Sequence, residues 1–133
     1  MTLARGLLLL GALILAGIGL GFLIVPVQWA AIVDIALPTA TARTDLRATY
    51  GGFDLAFGVF LAVCATRPGW SRPGLVALGL AAAGFGGGRL LGILVEGSAS
   101  PLMIAFAALE VMLAVAAFAA LRRLPPPGSQ AVR

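Results

Sequence analysis

The sequence contains no histidine, no lysine and a single cysteine, Cys64. Because zinc sites are built mostly from Cys and His side chains, this composition excludes a zinc site of the usual kind. One cysteine cannot form an intrachain disulfide, and Cys64 has no second thiol in the chain for a reversible thiol–disulfide reaction. Cys64 is therefore expected to pack as a small apolar residue near the end of a helix.

Charged residues are also scarce. Asp, Glu, Lys and Arg make up only 11% of the 133 residues, whereas 61% are hydrophobic. Soluble domains contain roughly a quarter charged residues, so the composition indicates an integral membrane protein with the lipid bilayer as its partner. The net charge of +4 comes from arginines. Since these sort by membrane side, as shown below, they do not predict a nucleic-acid partner.

Four apolar stretches are long enough to cross a bilayer: Leu7–Val27, Leu46–Ala65, Gly74–Val95 and Leu102–Leu121. Each has about 20 residues, which as a helix rising about 1.5 Å per residue spans a hydrocarbon core of about 30 Å. The first stretch is too long for the apolar part of a secretory signal, usually about 7–15 residues. The sequence thus predicts an all-α fold, a four-helix transmembrane bundle over residues 1–124. A flexible cytoplasmic tail is expected at 125–133, where the proline run cannot continue a helix.

The loop charges predict the orientation. Arg43 and Arg47 flank one side of the predicted bundle, together with three of the five acids. The other side carries six arginines: Arg5, Arg67, Arg72, Arg122, Arg123 and Arg133. Because positive loops stay inside, both termini should be cytoplasmic, in a multi-pass protein of a bacterial inner membrane.

The first outer connection, 28–45, has its own helical pattern. Trp29, Ile32 and Leu37 are among its apolar residues at helical spacing, which predicts a short helix in the outer interface. Thr44 is then expected to be the N-cap of helix two, with Asp45 favourably placed in the first turn.

Three ionisable residues fall inside the predicted spans at a similar depth. Asp54 and Glu110 lie about 12 Å, and Arg89 about 9 Å, below the outer ends of their helices. A lone charge at mid-membrane costs roughly 2.5–3.5 kcal/mol, so the three should face one another and not lipid. Arg47 lies one turn inside the boundary and can reach either headgroups or this cluster. The charges of Arg47, Asp54, Arg89 and Glu110 together sum to zero.

Small and polar residues recur on the same faces. On helix two, Arg47, Tyr50, Gly51, Asp54 and Gly58 follow three- and four-residue steps and form one stripe. Glycines four apart let helices approach closely in lipid. The glycines expected to pack helices are Gly51, Gly52, Gly58, Gly84, Gly88 and Gly92, with Gly17 and Gly21 similar in helix one.

The segment Arg-Ala-Thr-Tyr-Gly-Gly-Phe-Asp-Leu-Ala-Phe-Gly, 47–58, resembles a family of small bacterial membrane proteins, domain of unknown function 4345. That family has four helices and an Arg-x-x-Tyr-Gly-Gly signature opening the second, matched here by Arg47, Tyr50, Gly51 and Gly52. Arg89 after glycine, and Glu110, also fit the pattern. The layout is similar to that of DoxX-like proteins as well, a likeness of fold that implies no function. The resemblance implies no activity.

Three functions are compatible with the polar residues Arg47, Tyr50, Asp54, Arg89 and Glu110. They can form an ion-pair network that only fixes the helices, or a polar pocket for a small molecule. Two carboxylates and a tyrosine also offer acid/base chemistry, but no nucleophile or metal set completes an enzyme mechanism. We predict a non-enzymatic accessory or small-molecule-binding protein without a cofactor, with a small transporter or proton-coupled permease as the alternative. Self-association, or a partner in a membrane complex, is compatible with the glycine-rich faces.

Single-cysteine labelling tests the orientation. With Ser129→Cys as the only reactive thiol, a membrane-impermeant reagent added to intact cells should not label the protein, because the C-terminal tail is expected in the cytoplasm. Labelling of position 129 from outside would contradict this topology.

Overall fold

The computed structural model describes residues 2–125, which contain helices and no strand. The helices are α1 (Leu3–Ile24), α2 (Pro26–Ile32), α3 (Ala40–Leu46), α4 (Phe53–Thr66), α5 (Ser71–Glu96) and α6 (Pro101–Arg123), and a π-helical segment (Arg47–Gly52) joins α3 to α4. Four helical stretches are long and apolar enough to cross a membrane: Leu3–Ile24, Ala40–Thr66, Ser71–Glu96 and Pro101–Arg123. The predicted all-α, four-span fold is confirmed. Apart from Pro125, the predicted tail lies outside the described residues.

The first span ends earlier than predicted, at Ile24. Pro26 has no N–H to donate to the carbonyl of Phe22, so it interrupts the helix and instead begins α2, where an N–H is not needed. A short helix does follow the first span, but it ends at Ile32 and does not extend to Leu37. Asp34, with a φ of 59°, directs the chain away from it.

The second span begins earlier than predicted. Thr39, not Thr44, is the N-cap, and its hydroxyl accepts a hydrogen bond of 3.1 Å from the amide of Ala42. The prediction of Thr44 as the N-cap was wrong because Thr44 lies inside α3. Both threonines suit a cap, and the alanines that follow Thr39 carry the helix into the less apolar part of the chain.

The second span also contains a π-helical segment that the periodicity did not predict. Over Arg47–Gly52 the backbone follows the wider i→i+5 pattern, which is rare and often found near functional sites. Because this widening changes the angular spacing of side chains, a stripe drawn with α-helical steps does not run continuously from Arg47 to Asp54.

The four spans pack as two pairs. α1 packs mainly on α4, and α5 mainly on α6, with much less contact between the pairs. The pairs join at the end of the bundle that holds the start of α1 and the end of α6. The buried core there consists of Ala4, Leu8, Ala12, Leu61, Cys64, Ala65, Leu75, Leu78, Ala117 and Ala120. As expected, Cys64 is buried in this apolar cluster.

An arginine closes the same end of the bundle. At the start of α5, Nη2 of Arg72 donates to the carbonyls of Leu124 and Pro125, at 3.2 and 3.1 Å. These carbonyls follow the last turn of α6 and have no helical partner, so the guanidinium satisfies them and ties α6 to α5.

Glycines bring α1 and the second span into backbone contact. A Cβ placed on Gly19 would lie 2.5 Å from the amide nitrogen of Leu55 and 2.8 Å from the carbonyl oxygen of Gly51. One placed on Gly58 would lie 2.9 Å from the carbonyl oxygen of Ala12. Close approach of this kind, which only glycine permits, is how helices gain dispersion contacts in lipid.

Other predicted packing glycines meet no neighbouring helix. A Cβ on Gly84, Gly88 or Gly92 would find no heavy atom within 4 Å, and the same holds for Gly17. A Cβ on Gly52 would find only the carbonyl of Arg47, in its own segment, at 3.7 Å. The four-residue spacing alone did not distinguish the packed from the open side of α5.

Two equivalent substitutions on α1 test the glycine contact. Gly19→Ala should destabilise the protein by about 1–3 kcal/mol, because the added methyl forces the backbones of α1 and α4 apart. Gly17→Ala should be neutral or slightly stabilising, because its methyl enters open space and alanine favours helix. Unfolding of the purified variants in detergent measures both. Equal stability of the two variants would contradict the contact.

Candidate functional site

A cavity of about 500 Å³ lies between the two helix pairs. Its size is within the range of about 300–1,000 Å³ that is usual for small-molecule sites. Leu, Ile, Phe and Ala side chains form most of the wall, with contributions from every span. The ionisable side chains that line it are Tyr50, Asp54, Arg89 and Glu110.

Arg89 and Glu110 form an ion pair on the α5–α6 side of the cavity. Nε of Arg89 donates to both carboxylate oxygens of Glu110, at 2.9 Å each. The two side chains are 30% and 18% exposed. Since the pair is largely removed from solvent, its charges neutralise each other at short range and hold α5 to α6.

The spacing of three side chains along α6 explains how Arg89 is held. Met103, Phe106 and Glu110 follow three- and four-residue steps and so share one helix face. Nη1 of Arg89 lies 3.5 Å from Sδ of Met103, and its guanidinium carbon lies 5.2 Å from the ring centre of Phe106. On α5, Gly86 permits the approach, because a Cβ there would lie 3.3 Å from Cβ of Glu110.

Asp54 lies on the opposite side of the cavity, on α4. It is only 5% exposed and is the one buried charged residue in the described part of the chain. No hydrogen bond from residues 2–125 reaches its carboxylate. Since no fully buried side-chain oxygen or nitrogen in this range lacks a partner, the oxygens of Asp54 open onto the cavity and not into packed protein.

Three aromatic side chains from different elements line the same cavity as Asp54. The ring of Phe22 on α1 lies 5.1 Å from that of Tyr50 and 6.0 Å from that of Trp29, between ring centres. Phe22 is buried, whereas Tyr50 is 40% exposed. Tyr50 and Asp54 both line the cavity from the second span, so the phenol and the carboxylate belong to the same wall.

Arg47 has a separate role. Nε of Arg47 donates to the carbonyl oxygen of Leu23 at 3.0 Å. That carbonyl lies in the last turn of α1, where the break at Pro26 leaves acceptors without helical donors. Arg47 therefore ties the end of α1 to the π-helical segment and does not line the cavity.

Four of the five predicted polar residues thus line one cavity, as Arg89 with Glu110 on one side and Tyr50 with Asp54 on the other. Sequence reasoning missed Met103 and Phe106, which contact Arg89. Both could have been predicted from the sequence, since Phe106 precedes Glu110 by one helical turn and Met103 precedes it by two. Within residues 2–125, no group of three or more Cys, Asp or Glu side chains is placed to hold a metal ion.

A double-mutant cycle tests the ion pair. Arg89→Gln and Glu110→Gln should each destabilise the protein, and the double variant should lose less than their sum, with a coupling energy of about 1–3 kcal/mol. The matched cycle of Arg89→Gln with Asp54→Asn should show a coupling below about 0.5 kcal/mol, because Asp54 makes no bond to Arg89. Unfolding in detergent measures both cycles. Strong coupling in the second cycle would contradict the separate roles described above.

A scan against protein-family models matches residues 3–121 to the family described as Domain of unknown function (DUF4345). A search of curated proteins and a search of solved structures each gave no match. The match covers most of the 133 residues, so the resemblance to this family noted from the sequence is confirmed. The chain belongs to the DUF4345 family, a domain of unknown function.

Proposed function

We propose that this protein is a non-enzymatic membrane protein that binds a small, mainly apolar molecule in the cavity between its two helix pairs. The observation that carries the proposal is a cavity of about 500 Å³ with an apolar wall and a few ionisable groups converging on it. Apolar surface supplies affinity in such sites, and a few polar groups fix the orientation of the ligand.

The placement of Asp54 favours binding over a purely structural network. A network that only fixes helix rotation would be expected to pair each charge that lies between the helices, as Arg89 is paired with Glu110. Asp54 instead faces open space while being 5% exposed. A buried carboxylate without a partner lowers stability, so its retention in the cavity supports a role towards a ligand.

The proposed setting is a bacterial inner membrane with both termini in the cytoplasm. Arg67 and Arg72 lie at one end of the bundle, with Arg122 and Arg123 at the end of α6. Because this end is the more positive, the positive-inside rule supports a cytoplasmic location for it. The half of the bundle with the cavity then lies towards the outer side.

Filling the cavity tests the proposal. Trp29 lines the cavity, so in a Trp70→Phe background its fluorescence reports on the site. Titration of the detergent-solubilised protein with n-octanol should give a saturable change in Trp29 emission. Ala81→Phe, which places a ring in the cavity, should weaken this response at least tenfold.

The matched control is Ala83→Phe. It lies on the same helix, is exposed and does not line the cavity, so it should bind n-octanol as the parent does. A non-saturable response in the parent, or equal loss in both variants, would contradict binding in the cavity.

A further inference from the structure

We propose that the ligand is an amphipathic organic cation, an apolar molecule that carries one protonated amine, and that the ammonium group binds Asp54. This inference rests on the proposed function and specifies the chemical class of the ligand. It follows from three features of the cavity: an unpartnered carboxylate, an arginine already neutralised, and an aromatic wall.

The carboxylate of Asp54 lacks what an ammonium group supplies. It is buried, receives no hydrogen bond from residues 2–125, and opens onto the cavity. An ionised carboxylate removed from water requires a positive partner and hydrogen-bond donors. A protonated amine provides both, with up to three N–H donors on a compact charge.

The charge of the arginine in the cavity is already neutralised by Glu110, which argues against an anionic ligand. Nε of Arg89 donates to both oxygens of Glu110, and Nη1 faces Sδ of Met103. Among the cavity-lining residues, the two carboxyl groups of Asp54 and Glu110 outnumber the single guanidinium of Arg89. With both carboxyl groups ionised, as binding of an ammonium group to Asp54 requires, the cavity has one net negative charge, and Arg47, bonded to Leu23, does not balance it.

The aromatic and aliphatic residues of the cavity suit a ligand that carries its positive charge on an apolar body. Tyr50 lies one helical turn before Asp54, and its ring packs on that of Phe22, which in turn contacts Trp29. Aromatic faces attract a cation within about 6 Å, more strongly when water is excluded. The Leu, Ile and Phe side chains of the remaining wall favour an alkyl or aryl body and disfavour a hydrophilic metabolite.

Three ligands with the same eight-carbon chain separate charge from apolar binding. The Trp70→Phe protein is placed in nanodiscs of zwitterionic phosphatidylcholine at pH 7.5. It is then titrated with octylammonium, n-octanol and octanesulfonate, and each is compared at equal membrane-bound concentration. Octylammonium should saturate the Trp29 signal at a concentration at least tenfold lower than n-octanol, which corresponds to about 1.4 kcal/mol. Octanesulfonate should bind more weakly than n-octanol.

Asp54→Asn should abolish the preference for the cation, so that octylammonium and n-octanol bind this variant with equal affinity. The matched control is Asp45→Asn on the same span, an exposed aspartate that does not line the cavity and should keep the preference. Because the three-ligand comparison uses the native cavity, it decides the inference even where Asp54→Asn fails to fold.

The outcomes separate this inference from the proposed function. Saturable binding of all three ligands with equal affinity, or a preference for octanesulfonate, overturns the cationic ligand and leaves binding in the cavity intact. Retention of the octylammonium preference in folded Asp54→Asn also overturns the inference. Absence of a saturable signal with every ligand overturns the proposed function itself.

Discussion

Inside a bilayer no water is present to satisfy a charged side chain or an open carbonyl, and the fold of this protein is arranged around that constraint. Arg89 is neutralised by Glu110, and Arg47 donates to the last turn of α1. Arg72 donates to the two carbonyls that follow α6. Each of these three arginines joins two separate elements, so their charged groups also tie the helices together.

Against this background Asp54 differs from the charged side chains that have a partner within the protein. It lines the cavity between the two helix pairs, on a wall that it shares with Tyr50, and its oxygens face open space. The pairs are held together at the opposite end, where alanines and leucines form a buried core. Stability therefore resides mainly at one end of the bundle, whereas the chemically distinctive groups lie in the other half.

Hydrophobic length and charge spacing predicted the number of spans, and depth along each helix predicted that Asp54, Arg89 and Glu110 would lie at a common level. These features follow from bilayer thickness and helix rise, which do not depend on tertiary contacts. Similar depth does not decide which charges pair. That depends on helix rotation, which the π-helical segment at Arg47–Gly52 alters and which periodicity cannot predict. The same limitation applies to the glycines: Gly19 and Gly84 look alike in sequence, yet only Gly19 meets a neighbouring backbone.

The separation between the packed end and the cavity has a consequence for how such a protein can diversify. Substitutions at Ala81 or Phe85 would alter the shape of the cavity, while Leu8, Leu61 and Leu75 keep the helices assembled. Because distant sites contribute to stability almost independently, the wall can change without loss of the bundle. Proteins that share this fold can therefore acquire different ligands through substitutions in the half with the cavity, while the packed half keeps the helices assembled.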